Sequence, residues 1–210
     1  MDLPENVAQL LSVSKILLMQ AVDVLDNHLT SDEQLTVNSQ YLHGSTIGKH
    51  IRHARDHFEL LLACIAAPPP YVLCYDTRSR NTPMECSRSA AKESLLETIR
   101  LLEEKVPCVD FQAPITLNAV TPHIQTFETT FGRELWFAGL HCIHHWSVVR
   151  VMAGELGIKL SDDFGFAPST LLYQDQRGSS RRGQVLDCLY FFLLLSCSAY
   201  KIPVVHTSNT

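Results

Sequence analysis

The sequence predicts an all-α fold: a four-helix bundle with a small β-hairpin inserted before the fourth helix and a C-terminal appendage. Three observations carry that expectation. Apolar residues recur at helical spacing in four long segments, the spacing changes to period two between Ile115 and Thr129, and imidazoles fall at three- and four-residue steps in two of the four segments.

The first helix starts near Pro4, a residue suited to an opening turn, and keeps a helical period through Leu10, Val13, Leu17, Ala21 and Leu25. The second opens near Ser45 or Thr46, whose hydroxyls can cap it, and ends before Pro68-Pro69-Pro70. A loop of about 17 residues follows, long enough to carry function, with Tyr75-Asp76-Thr77-Arg78-Ser79-Arg80 within it. The third helix runs from Ser89 to about Lys105 and stops at Pro107. Ile115 to Val120 and Ile124 to Thr129 then alternate, with Thr121-Pro122-His123 between them, as in a short hairpin. The fourth helix extends from Phe131 to about Gly157 and is apolar on most of its circumference.

Composition narrows the function classes. At 210 residues and 46% hydrophobic content, the chain can bury a full core as one domain. A net charge of -5, a pI near 6.0 and the lack of any basic run argue against nucleic-acid binding. The seven cysteines are an odd number with no C-x-x-C pair, which indicates neither a disulfide framework nor a zinc ribbon. Reduced thiols and an N-terminus without a signal-peptide pattern predict a cytoplasmic protein.

His141-Cys142-Ile143-His144-His145 is the most informative stretch. His141 and His145, four residues apart, project from one face of a helix that is otherwise suited to burial. An imidazole there needs a partner, which a metal ion or a hydrogen bond to a neighbouring helix can supply. Metal coordination needs a further ligand, and the second helix offers His50, His53 and His57 within an arc of roughly 60°. Three imidazoles and an open position are an arrangement suited to a divalent ion, zinc by default, with nickel or iron acceptable to the same ligands. A solvated face is the alternative reading of the second-helix cluster, since Lys49, Arg52, Arg55 and Asp56 interleave it.

Other residues have narrower roles. His144 points about 100° away from His145 and reads as a packing or hydrogen-bonding histidine. Cys142 reads as a buried packing residue, with a place at the site margin as its alternative. Arg78, Arg80 and Arg133 read as surface charges, with Arg78 and Arg80 alternatively clamping an anionic group of a substrate or a carboxylate of the protein. Asp163-Phe164-Gly165 lacks the partner motifs of a kinase and is not read as one.

Several motifs occur in an order that resembles the DinB/YfiT-like superfamily: Ser45-Thr46-Ile47-Gly48 followed by His53 and Asp56-His57-Phe58; Tyr75-Asp76-x-Arg78-x-Arg80; Gly132-Arg133-Glu134-Leu135; His141-x-x-x-His145; and Asp163-Phe164-Gly165-x-Ala167-Pro168-Ser169-Thr170-Leu171. The resemblance implies a DinB-like bundle over residues 1–173. It also implies a divalent metal held by His53, His141 and His145, with His50 and His57 as supporting or substitute groups. A metal-dependent enzyme of thiol-transferase or hydrolase type is implied as well, acting on an unidentified small molecule such as a low-molecular-weight thiol. The competing expectation is a non-catalytic binding or interaction module, or a structural homodimer with an inert metal. Residues 174–210 form a separate tail whose apolar run, Cys188 to Tyr200, is shorter than the roughly 20 residues a membrane-spanning helix needs. A packed or interfacial helix, or else a poorly ordered appendage, is the expectation there.

Overall fold

The structure is a computed structural model that describes residues 3–166 except 78 and 121. The described residues are helix-rich, with four long α-helices and a small sheet of three strands. The readings of the 174–210 tail lie outside the described residues.

The first helix, α1 (Glu5–Asp23), buries Val7, Leu10, Val13, Leu17, Leu18 and Ala21, a stripe at three- and four-residue spacing. It continues into a wider turn at Val24–His28, after which Leu29 is again buried. The whole stretch Glu5–His28 is long and apolar enough to cross a membrane, and half of that window is buried inside the protein. The second helix, α2 (Ile47–Ala66), is capped by Thr46, whose hydroxyl accepts the Lys49 amide at 3.2 Å. The third, α3 (Arg88–Lys105), is capped by Ser87, and the Arg88 guanidinium donates to the Leu25 carbonyl at 3.0 and 2.8 Å, tying its start to the end of α1. The fourth, α4 (Phe131–Glu155), is capped by Thr130, which accepts the Arg133 amide at 3.3 Å.

The four helices contact one another as a closed circuit: α1 packs on α3 and α4, and α2 packs on α3 and α4. Trp146 sits at its centre. The side chain is fully buried, its indole N–H donates to the Leu17 carbonyl at 2.9 Å, and its ring stacks on Phe164 at 5.9 Å. Residues after α4 reach that position by folding back. Gly157, with φ +72°, turns the chain, and Ile158 donates to the Ala153 carbonyl at 2.8 Å. The Asp163-Phe164-Gly165 segment then lies on α4, with Arg150 donating to the Phe164 carbonyl at 2.7 Å.

The strands differ from the hairpin the alternation predicts. β1 (Tyr71–Leu73), in what reads as loop, pairs parallel with β2 (Pro114–Val120), which pairs antiparallel with β3 (Ile124–Thr130). Three apolar or aromatic residues after a proline run are too short a window for period two to register, so sequence spacing misses β1. Only Ile115 in β2 and Leu73 in β1 are deeply buried, while β3 is exposed along most of its length.

A buried ionic network anchors α2 to the segment after β1. Arg52 pairs with Asp56 on its own helix and with Glu85 at 2.6 Å, and it also donates to the Ser79 carbonyl at 3.1 Å. Gly48 permits this approach, because a Cβ there would lie 2.7 Å from the Glu85 carbonyl carbon. Replacing Trp146 by Ala removes the ring that α1, α4 and Phe164 share. A loss of about 3–5 kcal/mol in unfolding free energy is expected, read from urea denaturation, with a smaller loss for Trp146→Phe.

Candidate metal centre

Packing of α2 on α4 brings the two histidine clusters face to face. His53 on α2 and His141 on α4 approach with their Nε2 atoms 3.2 Å apart, and His145 Nε2 lies 3.0 Å from His141 Nε2. The ligand atoms of His53, His141 and His145 all lie within 4.8 Å of one another. Two of these nitrogens crowd a third at hydrogen-bond distance, and an imidazole nitrogen has only one in-plane proton or lone pair to offer. Three nitrogens at tetrahedral angles around zinc, each about 2.0–2.1 Å from it, would be separated by roughly 3.4 Å. The donor set therefore fits a divalent ion better than it fits a chain of hydrogen bonds.

Electrostatics favour the neutral, ligating form. Burial pushes the His145 pKa down to about 2, helped by the imidazoles of His141, His53, His50 and His144. His50 is lowered as well, by burial first and by His144 second. Its Nδ1 lies 2.7 Å from Nδ1 of His145. His57 is turned differently. Its Nδ1 bonds the His53 carbonyl at 3.1 Å, while its ring lies 3.9 Å from that of His141 and stacks on Tyr75 at 4.5 Å.

A cleft of about 430 Å³ opens beside this cluster, between the β2–β3 hairpin and the first turns of α4. Leu117 and Phe127 line it from the hairpin, Arg133 and Phe137 from α4, and Tyr75 from the loop after β1. One aromatic layer separates cleft from imidazoles: Phe137 stacks on His141 at 5.7 Å and lies 5.8 Å from Tyr75. Glu134, fully buried beneath, holds this layer in place. Its carboxylate accepts from the Tyr75 hydroxyl at 3.0 Å, the Thr129 hydroxyl at 2.8 Å and the Arg133 guanidinium at 2.7 Å, and Arg133 in turn lies over the Phe137 ring at 5.1 Å.

The residues singled out in the sequence have different fates. His53, His141 and His145 come together, with His50 and His57 against them. Cys142 is fully buried outside the cluster, and burial holds its thiol well above the ordinary range. His144 is exposed, its ring 5.1 Å from that of His145. Arg80 is exposed and Arg78 lies outside the described residues. Arg133 is a salt-bridge partner of Glu134 rather than an isolated surface charge. Sequence reasoning quotes Glu134 and Tyr75 as motif members and assigns neither a role. The usable signal for Glu134 was its position two turns before His141, on the same face of the helix.

No family model matches the chain, and no solved structure matches it. Among curated proteins it is similar to FK506-binding protein 5 of Rhizopus delemar, with 33% identity over 159 residues, covering 74% of this chain and 35% of the relative. The chain thus spans about a third of the length of the curated relative it matches. This finding corrects the resemblance to the DinB/YfiT-like superfamily. The thiol-transferase or hydrolase activity and the description as a metalloenzyme, which that resemblance implied, fall with it. The physical reason lies in what the short motifs do. Gly48 serves a close backbone approach, Gly132 meets Phe111, Glu134 ties down Tyr75, and an i, i+4 histidine pair marks one helix face, so each answers a local packing need that carries no family identity.

Burial, with the Glu134 carboxylate as the second cause, raises the Tyr75 phenol above its ordinary value of 10.0. The unfolded chain releases this proton at lower pH than the folded chain does. The stability linked to Tyr75 is therefore complete below pH 10 and is lost as pH rises beyond it. Tyr75→Phe is expected to lose less stability than the wild type above about pH 10, measured by chemical denaturation across that range.

Proposed function

We propose that this chain is a binding domain of FK506-binding type, built as a four-helix bundle, with a divalent metal ion as resident cofactor at His53, His141 and His145. The observation that carries the metal assignment is the crowding of three Nε2 atoms, at 3.2 and 3.0 Å, into the packed face between α2 and α4. Zinc is the default ion for three neutral imidazoles, with nickel or iron as acceptable substitutes. Bound there, the ion keeps its double charge and polarises any further donor it takes.

The ligand-binding half of the proposal rests on the relative's name, which records FK506 binding, and on the cleft beside the cluster. Aromatic walls from Tyr75, Phe127 and Phe137 suit an apolar ligand, and among the described residues that line the cleft the one cation, Arg133, is paired with Glu134. Together with the net charge of -5, this supports a small-molecule or protein partner in place of a nucleic acid.

Purified protein is expected to carry about one divalent ion per chain by native mass spectrometry, and the His141→Ala/His145→Ala double variant none. Stoichiometric metal in the double variant would remove these residues as ligands. In calorimetry, FK506 is expected to bind the wild type and to bind Phe137→Ala about 10-fold more weakly, as expected for loss of one aromatic wall. Failure of the wild type to bind FK506, or binding unaffected by the Phe137 change, would overturn the cleft assignment.

A further inference from the structure

We infer that His50 is a positioning residue for this metal centre, selecting the tautomer of His145 that can ligate. The inference rests on the metal assignment above and extends it to a residue outside the ligand set.

Proton placement carries the argument. For His145 Nε2 to ligate, it must present its lone pair toward His141 and His53, so the single proton of the neutral ring resides on Nδ1. That Nδ1 lies 2.7 Å from Nδ1 of His50. The His145 Nδ1–H therefore donates, and His50 must accept through its own Nδ1 lone pair and carry its ring proton on Nε2. The opposite arrangement, with His50 donating, would place the His145 proton on Nε2 and close that ligand position. A ligating imidazole whose other nitrogen donates to a fixed acceptor is held in orientation and made more basic.

Geometry makes the contact a constraint. His50 and His53 are three residues apart on α2, so one rigid helix supplies both a ligand and the acceptor that aims a ligand on the facing helix. The His145 ring is bounded by His50 at 4.9 Å and by His53 at 4.5 Å, the latter edge to face at 86°. Rotation of His145 away from the cluster would break both contacts.

Zinc affinity, measured by competition with a chromogenic chelator, separates this role from simple packing. His50→Phe keeps a ring and removes the acceptor, and it is expected to bind zinc about 10–100-fold more weakly. His50→Asn places a carbonyl oxygen where Nδ1 was, and its affinity should stay within a few-fold of the wild type. In the zinc-loaded wild type, nitrogen NMR of the histidine rings should show His50 protonated on Nε2 and His145 on Nδ1. Wild-type affinity in His50→Phe, an equal loss in both variants, or the reverse tautomers would overturn the inference while leaving the metal centre standing. A wild-type protein that takes up no zinc would instead overturn the metal centre itself.

Discussion

Imidazoles placed between two packed helices must find partners, and the rest of the structure is arranged around that requirement. His50, His53, His57, His141 and His145 occupy one interface between α2 and α4, and each ring lies against at least one other. Desolvation alone would make such a group of polar rings costly. The cost is met by mutual contact, by the His53 carbonyl that bonds His57, and by the two-nitrogen approach that suits a cation. Neither helix could change its rotation without separating these rings.

The aromatic and ionic layer next to the cluster extends the same logic outward. Glu134 is fully buried, and it joins three elements through Tyr75 of the loop after β1, Thr129 of β3 and Arg133 of its own helix. A charge buried so deeply is tolerated because its oxygens accept three hydrogen bonds. The result fixes Tyr75 and Phe137 as a wall shared by imidazoles and cleft.

Long, periodic features were legible in the sequence, and short or non-local ones were not. The four helices followed from spacing and caps, and α4 starts at Phe131 as its apolar pattern predicts. The alternation of 115–129 revealed β2 and β3, whereas the three residues of β1 became a strand only by pairing with Ile115 to Leu117. In the histidine clusters, helical geometry placed His141 and His145 on one face, but the choice among His50, His53 and His57 depends on how two helices are rotated against each other. No spacing within one segment encodes that rotation. The bond between Tyr75 and Glu134 was not legible for a related reason: it spans 59 residues. The family resemblance failed because its motifs report local packing needs that many helical proteins share.

Gly48 gives α2 a single setting, like a key cut to one lock. Its missing side chain lets the helix rest against the backbone of Glu85, and on either side stand Ile47 and Lys49, whose side chains could not enter that space. A slip of one residue would turn the helix by about 100° and advance it about 1.5 Å, driving a side chain into the Glu85 carbonyl and swinging His53 off the α4 face. The smallest residue of α2 thus acts as the index mark from which the angular position of the imidazoles is counted, five residues before His53.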